Sequence, residues 1–354
     1  MNKIKFYLLH NSCNDVDSAL KYLQIFPLKS DFDFEWEPNK PDYLITTEQI
    51  YNIPRIRKKY NKIHSNAKLT IFFTREAVTP DFNLCDYAIG FDNGLQYNDR
   101  FIQLPNPFEL YPAFVKSNHN EINTIDKARN LLMQKNKFCN FLYSNHMAHP
   151  NRDLLFHILS NYKKVDSLGR HLNNVGCCGT GYIGHENDCV SIKSPYKFSI
   201  ASENASFTGY TSEKILTSLA AHTIPIYFGD PMIVEKINPN CFINCNTLKN
   251  IEDVISLVKQ IDEDNDLWCK MISADWQTPI QKEHSIKIHD TYHNFFLKIF
   301  NEPVNELKRI PVGCRPDMYA YQFFHEKVHP VPIVKKIYRR ITKSYLNKTK
   351  LFSV

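Results

Sequence analysis

The chain has 354 residues, of which 43% are apolar and 13% aromatic, and a formal net charge of +6. That length predicts two domains rather than one core, and the apolar content excludes a largely disordered protein. No stretch approaches the roughly 20 apolar residues of a membrane-crossing helix, and the run at Phe6–Leu9 is too short for a secretory signal, so an intracellular protein is expected.

Most of the charge is local. Residues 331–354 hold seven basic side chains (Lys335, Lys336, Arg339, Arg340, Lys343, Lys348, Lys350) and no acidic one. The rest is close to neutral, which argues against a nucleic-acid-binding body and for no nucleic-acid partner. The ten cysteines are scattered, with no C-x-x-C pair. They read as buried free thiols of a reducing compartment rather than as disulfides or a zinc site.

In chain order, residues 4–9, 32–36, 43–47, 68–74 and 85–91 read as strands. Val16, Ala19, Leu20 and Leu23 recur at helical spacing between the first two. The Pro-rich LPNPFELYP (104–112) closes this series, and a hinge is expected near 105–135. A second series follows: strand 138–144, a helix around Leu154, Leu155, Ile158 and Leu159, strand 196–202, helix 212–223, and strands 224–229 and 241–245. Alternating strands and helices imply parallel sheets covered on both faces. The expected fold is therefore α/β, with two Rossmann-like domains at 1–125 and 126–280. Helices in 281–330 return to the first domain, and 331–354 forms a basic amphipathic tail.

Three motifs look like sites without the context their chemistry needs. GTGYIG (179–184) matches the dinucleotide fingerprint but lies in a polar stretch, not between a strand and a helix. HEKVH (325–329) matches a zinc-protease string, but Pro330 breaks the helix at its second histidine and no later histidine can serve as a third ligand. Asp31/Asp33 and Asp262/Asp264/Asp266 have the spacing of metal-chelating carboxylates; they are read as a strand face and a solvated acidic stretch. No bound metal is expected.

The segment 196–229, YKFSIASENASFTGYTSEKILTSLAAHTIPIYFG, has more order. A strand delivers Glu203 and Asn204 at its carboxyl end, a loop carries Gly209 and Tyr210, and a helix opens at Thr211-Ser212. Ligands of α/β sheets collect there, where helix N-termini point N–H groups at anions. Lys214 in the first helical turn opposes the helix dipole, and a bound diphosphate would explain its presence. On spacing alone, Glu213 and Lys214 read equally well as surface residues of an amphipathic helix.

This string resembles the signature of the α-1,3/4-fucosyltransferases, glycosyltransferase family 10, above all its bacterial branch. The residues concerned are Tyr196-Lys197-Phe198, Glu203-Asn204, Tyr210 to Lys214 and Ile224 to Gly229. The likeness extends to Ser144-Asn145, Arg152 and Asp166 to Asn174, and in the first half to Phe73 to Glu76 and Asp86 to Asp92. It implies a GT-B architecture, in which two Rossmann-like domains face a cleft, and inverting transfer of L-fucose from GDP-β-L-fucose. The acceptor would be O3 or O4 of a GlcNAc or Glc residue in a glycan, of N-acetyllactosamine type or a lipopolysaccharide O-antigen. Glu76 matches the family's base and Glu213 a carboxylate near the fucose ring. Arg152 and Lys214 match the residues on the donor diphosphate, and Glu203, Asn204 and Tyr210 the loop lining nucleotide and sugar. No cofactor is implied beyond the donor, and a divalent metal is at most stimulatory. Ala205 stands where relatives have serine, and Arg75 and Ala77 flank Glu76 where they often have Gly and Asn. The competing readings are a GT-B transferase with another nucleotide sugar and an inactive carbohydrate-binding relative.

In the tail, Ile333, Ile337, Ile341 and Tyr345 share one helical face, with Lys and Arg on the others. Such a helix is expected to lie on an anionic membrane surface, placing the protein in the cytoplasm at the inner face of the membrane.

Overall fold

The computed structural model describes residues 1–92, 94–95, 99–105, 122–176 and 186–310. In the first half, β1 (Asn2–Leu9), β2 (Phe32–Trp36), β3 (Tyr43–Thr46), β4 (Leu69–Phe73), β5 (Tyr87–Gly90) and β6 (Phe101–Gln103) pair in the order β2-β1-β3-β4-β5-β6, all parallel. In the second, β7 (Lys137–Phe141), β8 (Val165–Ser167), β9 (Tyr196–Ser202), β10 (Ile224–Phe228) and β11 (Ile243–Asn244) pair in the order β11-β10-β9-β7-β8, again all parallel. Both sheets have the same wiring: the first strand is flanked by the second on one side and the third on the other. The strand order therefore reverses beside β1 and beside β7, and the carboxyl ends there are where α/β sheets bind ligands.

The strands form because they are apolar on both faces. All five residues of β4, Leu-Thr-Ile-Phe-Phe, are buried, the pattern of a sheet with helices above and below. The helices are α1 (Val16–Tyr22), α2 (Gln49–Asn52), α3 (Pro54–Ile63), α4 (Ile125–Leu132), α5 (Asn151–Tyr162), α6 (Glu186–Lys193), α7 (Glu213–Ala220), α8 (Ile251–Glu263), α9 (Asn265–Ile272), α10 (Pro279–Asn301) and α11 (Val304–Leu307). Side chains start many of them: Asp15 and Ser18 form a capping box on α1, Thr278 and Gln281 another on α10, and Asn250 caps α8.

Helix α10 joins the halves. At its start, the Gln281 amide donates to the Val234 carbonyl at 2.7 Å, in the second half. Further along, Tyr292, Phe295, Phe296, Ile299 and Phe300 lie in the first half's core. The Phe300 ring meets Phe32, Phe34 and Tyr43 edge-on at 5.3–5.5 Å. Each such buried side chain contributes about 1.5–3 kcal/mol, against about 0–1 kcal/mol for an exposed ion pair. The apolar stripe therefore fixes the helix.

The chain after α10 is tied down by two carboxylates, of which Asp99 accepts from Arg309 Nη2 at 2.6 Å and Asp86 does more. Buried Asp86 accepts from the backbone N–H groups of Thr70, Arg309 and Ile310 at 2.8–2.9 Å and from Lys308 Nζ at 2.9 Å.

Several expectations need correction. The strand expected over 241–245 shrinks to Ile243–Asn244, because Asn238 and Asn244 side chains accept from nearby backbone N–H groups and turn the chain on either side. Asp31 ends a 3₁₀ turn and lies outside β2. Asp262 is not solvated: it sits on α8 with its side chain 3% exposed, held by Lys197 at 2.8 Å and by Lys163. Asp264 caps α9. GTGYIG, HEKVH, Cys177, Cys178, Cys314 and the basic tail lie outside the described residues. The described cysteines are all free thiols, and no helix among the described residues is long and apolar enough to cross a membrane.

Replacing Asp86 by Ala strips three backbone donors of their acceptor. The variant is expected to lose about 2–4 kcal/mol and to become protease-sensitive at 302–310; an unchanged urea midpoint and digestion pattern would refute this account.

Candidate active site

The carboxyl ends of both sheets open on one cleft, a cavity of about 690 Å³. The first half contributes His10 after β1, Glu48 after β3, Arg75 and Glu76 after β4 and Phe91 after β5. The second contributes Tyr143 to Asn145 after β7, Asn204 after β9, and Tyr210 and Ser212 to Lys214 at the start of α7. Sequence-predicted residues from separate segments thus meet: Glu76, Asn204, Tyr210, Glu213 and Lys214 line the same space.

Tyr210 crosses the cleft. It is 1% exposed and packs in the first half's core, its ring edge-on to Phe91 at 5.3 Å. Its hydroxyl donates to Glu76 Oε2 at 3.3 Å. The Glu76 backbone N–H donates to Thr74 Oγ1, which in turn donates to Glu48 Oε2, both at 3.1 Å. Glu76 opens towards solvent, but the surrounding cleft walls crowd its carboxyl. That partial burial pushes its pKa above the usual 4.5, with Glu213 adding to the rise and Lys214 and Tyr210 opposing it. Glu48 is raised as well, chiefly by burial.

At the start of α7, Lys214 Nζ lies 2.9 Å from Ser212 Oγ, 3.2 Å from Glu203 Oε2 and 3.3 Å from Glu213 Oε1. Burial works against its charge, but the two carboxylates win and hold the ammonium well above its usual pKa. Glu213 is likewise crowded, yet Lys214 keeps it ionised and below its usual value.

Glu203 and Arg152 sit behind the cleft wall rather than on it. Glu203 is fully buried and accepts from the Ser212 N–H at 2.8 Å and the Ser212 hydroxyl at 2.6 Å. Arg152, at 1% exposure, lies over the Tyr143 ring at 4.5 Å and donates to the Asn145 carbonyl at 2.6 Å and to Asn204 Oδ1 at 3.4 Å. In this arrangement Arg152 orders two residues that face the cleft.

Sequence reasoning missed the brace beneath the Tyr210 loop. Buried Lys236 donates to the Gly209 carbonyl at 2.6 Å, to Thr211 Oγ1 at 3.1 Å and to Asp230 Oδ2 at 2.8 Å. Asp230 accepts from the Gly209 N–H and the Thr211 hydroxyl, each at 2.9 Å. Gly209 has φ +91°, which explains the glycine. Asp230 was findable, since it follows β10 at a carboxyl end; Lys236 had no signal. Under α7, buried Lys193 donates to Thr217 and Ser218 at 2.7 and 3.0 Å, and burial pushes its ammonium down to about 8. Arg75 and Glu48 also line the cleft without having been singled out.

Two parallel α/β domains with matched wiring, their carboxyl ends facing across a cleft, are the GT-B class of glycosyltransferase architecture. A crystal structure of an α1,3-fucosyltransferase with GDP-fucose superposes with a TM-score of 0.62 at 24% identity, over 85% of this chain and 92% of that one. Another α1,3-fucosyltransferase crystal structure gives 0.65 at 24% identity, over 88% and 93%. The sequence profile described as glycosyltransferase family 10 (fucosyltransferase) C-terminal matches residues 132–301, and that of the alpha-(1,3)-fucosyltransferase FucT N-terminal domain matches 9–111. The chain belongs to glycosyltransferase family 10.

Among curated relatives, it is 29% identical over 235 residues to alpha-(1,3)-fucosyltransferase FucT of Helicobacter pylori, covering 59% of this chain and 47% of that one. It is 27% identical over 129 residues to an alpha-(1,4)-fucosyltransferase of Arabidopsis thaliana, covering 32% of each. The chain therefore spans about half or less of the length of these relatives.

A Cβ on Gly229 would fall 2.4 Å from Glu203 Cγ. Gly229→Ala should therefore displace the carboxylate that seats Ser212 and Lys214, at a cost of about 1–3 kcal/mol. A melting temperature equal to that of the parent would show that Glu203 is not held as described.

Proposed function

We propose that the chain is an inverting fucosyltransferase that moves L-fucose from GDP-β-L-fucose to O3 or O4 of a GlcNAc or Glc residue in a glycan acceptor. The observation that carries this reading is the placement of Glu76, from one half, opposite Glu213 and Lys214 from the other, linked by the Tyr210 hydroxyl at 3.3 Å. Membership of family 10 supports the donor and reaction class.

In the reaction, the acceptor hydroxyl attacks the anomeric carbon of fucose while Glu76 takes its proton. The bond to the GDP β-phosphate oxygen breaks on the opposite face, so the β-linked donor yields an α-linked product. A carboxyl with a raised pKa is a better base near neutrality than an ordinary glutamate, and a positioned base contributes roughly 10²–10⁴-fold. Lys214 meets the charge growing on the leaving diphosphate, together with the N–H groups at the start of α7. Glu213 lies beside it, where a carboxylate stabilises positive character on the sugar ring. Asn204 and Tyr210 line the donor side; from behind the wall, Arg152 positions Asn204 and Glu203 seats Ser212 and Lys214. Donor activation on this account rests on Lys214 and the helix start, with no resident metal required.

The test is donor turnover with N-acetyllactosamine as acceptor. Wild type should transfer fucose, and Glu76→Ala and Glu76→Gln should each lower kcat by roughly 10²–10⁴. Because the active form of Glu76 is the carboxylate and its pKa is raised, kcat/KM should fall on acidification with a midpoint above 4.5. Transfer of a different sugar in preference to fucose would defeat the donor assignment; near-normal turnover by Glu76→Gln would defeat the base.

The basic tail suits an anionic membrane surface at the inner face of a cytoplasmic membrane. Deleting residues 331–354 should move the protein into the soluble fraction with transfer intact. A folded truncation that loses transfer would argue against the membrane role.

A further inference from the structure

A second cavity, of about 490 Å³, opens beside the cleft, within the size range of small-molecule sites. It lies in the first half where the strand order reverses, at the carboxyl ends of β1 and β2 and against α3, the second helix after β3. His10, whose ring lies 4.3 Å from that of Tyr22, lines both cavities. The side cavity therefore adjoins the space in which Glu76 stands, with His10 on the wall of both, in the half that does not carry α7.

Its walls are aromatic and its rim is cationic. Trp36 is held edge-on by Phe6 at 5.6 Å and Tyr7 at 5.0 Å. Among the described residues, no hydrogen bond engages its indole N–H. Arg55 and Lys59, four residues apart on one face of α3, both border the cavity and are both exposed. Arg55 Nη2 donates to Asn11 Oδ1 at 3.0 Å, which leaves most of its guanidinium donors open. Lys59 donates to the Tyr7 hydroxyl and lies 4.6 Å from that ring's centroid. No carboxylate pairs with either cation among the described residues. Helix α3, Pro-Arg-Ile-Arg-Lys-Lys-Tyr-Asn-Lys-Ile, contains no acidic residue at all.

An aromatic wall with an open N–H suits a sugar ring. A guanidinium and an ammonium without counter-charges suit an anion, which arginine grips in bidentate fashion. We infer that this crevice is an acceptor subsite for an anionic group, a carboxylate or phosphate, carried on a sugar next to the one that reacts. The inference rests on the fucosyltransferase reading for the word acceptor; the anion site itself rests on Trp36, Arg55 and Lys59.

Three disaccharides test it: GlcNAc glycosylated by galactose, by galacturonic acid or by galactose 6-phosphate. Transfer kinetics and donor-free binding by calorimetry are measured on wild type, Arg55→Ala/Lys59→Ala, and Lys62→Ala, a basic control on the same helix outside the cavity. Wild type should prefer at least one anionic acceptor over the neutral one by about tenfold in kcat/KM, mainly through KM. The double variant should bring that ratio close to one while its rate on the neutral acceptor stays unchanged, and Lys62→Ala should keep the preference. Preference for the carboxylate or for the phosphate form identifies the source of the anion. A wild-type ratio near one, or a preference that survives in a double variant with a parental circular dichroism spectrum and urea midpoint, overturns the subsite. If fucose reaches none of the acceptors, the fucosyltransferase reading fails, and the binding arm still decides the site. Anionic glycan binding that disappears in the double variant supports it; no such binding to wild type overturns it.

Discussion

The carboxylate of Glu203 is the point on which the second half's wall of the cleft depends. An unpaired buried charge costs several kcal/mol, so it persists only with partners that satisfy it. Here they are the Ser212 N–H, the Ser212 hydroxyl and the Lys214 ammonium. Because Glu203 directly follows β9 and Ser212 caps α7, this one group closes the intervening loop and sets where the helix begins. The opposing strand must leave room, and at Gly229 it does so by having no side chain. Lys214 in a first helical turn works against the dipole by about 0.3–1 kcal/mol. Two carboxylates within 3.3 Å outweigh that in the resting protein. A bound diphosphate is therefore not needed to explain why the lysine is there.

The two halves are held at a fixed distance by apolar contacts more than by charge. Tyr210 reaches from the second half into the first half's core, and α10 returns with Tyr292, Phe295, Phe296, Ile299 and Phe300. Buried rings of this size outweigh exposed ion pairs. The Lys236–Asp230 pair adds rigidity where it is needed, beneath the loop that carries Tyr210. Glu76 gains from this twice: Tyr210 supplies its hydrogen bond, and the crowded walls raise its pKa.

How far the sequence could be read follows from how each signal is encoded. The alternation of strands and helices was legible because it is written locally, in apolar runs separated by turn residues. Tyr210, Glu213, Lys214 and Glu76 were picked out by the family resemblance, since on spacing alone Glu213 and Lys214 read equally well as surface residues; the structure brings all four to one cleft. The direction of a side chain was not legible. Strand β9 is buried on both faces, with six of its seven residues buried. No period-two pattern shows that Glu203, just past its end, turns inward rather than into the cleft. The resemblance put Arg152 on the donor diphosphate, whereas its guanidinium is folded under Asn145 and Asn204. Asp262 looked solvated because its neighbours along the chain are acidic; its partners, Lys163 and Lys197, come from distant segments. Pairings across the fold leave no mark on local composition.

The distribution of charge in the cleft also orients what enters it. Glu48, Glu76 and Glu213 line it together with the cations Lys214 and Arg75, so it has no general affinity for anions. Under the proposed reaction, the diphosphate is met at the start of α7 by Lys214 and the helix N-terminus. On the same reading, a sugar that gains positive character lies between Glu213, 3.3 Å from Lys214, and Glu76 of the first half. In that reaction, the charges that develop as the glycosidic bond breaks meet groups of opposite sign that are already in place. Electrostatic preorganisation works in this way, since the groups need not move as the charge appears. The buried ion cluster behind the cleft keeps them in place, and for that reason the contribution of Glu203 is felt at Lys214 without Glu203 touching the cleft.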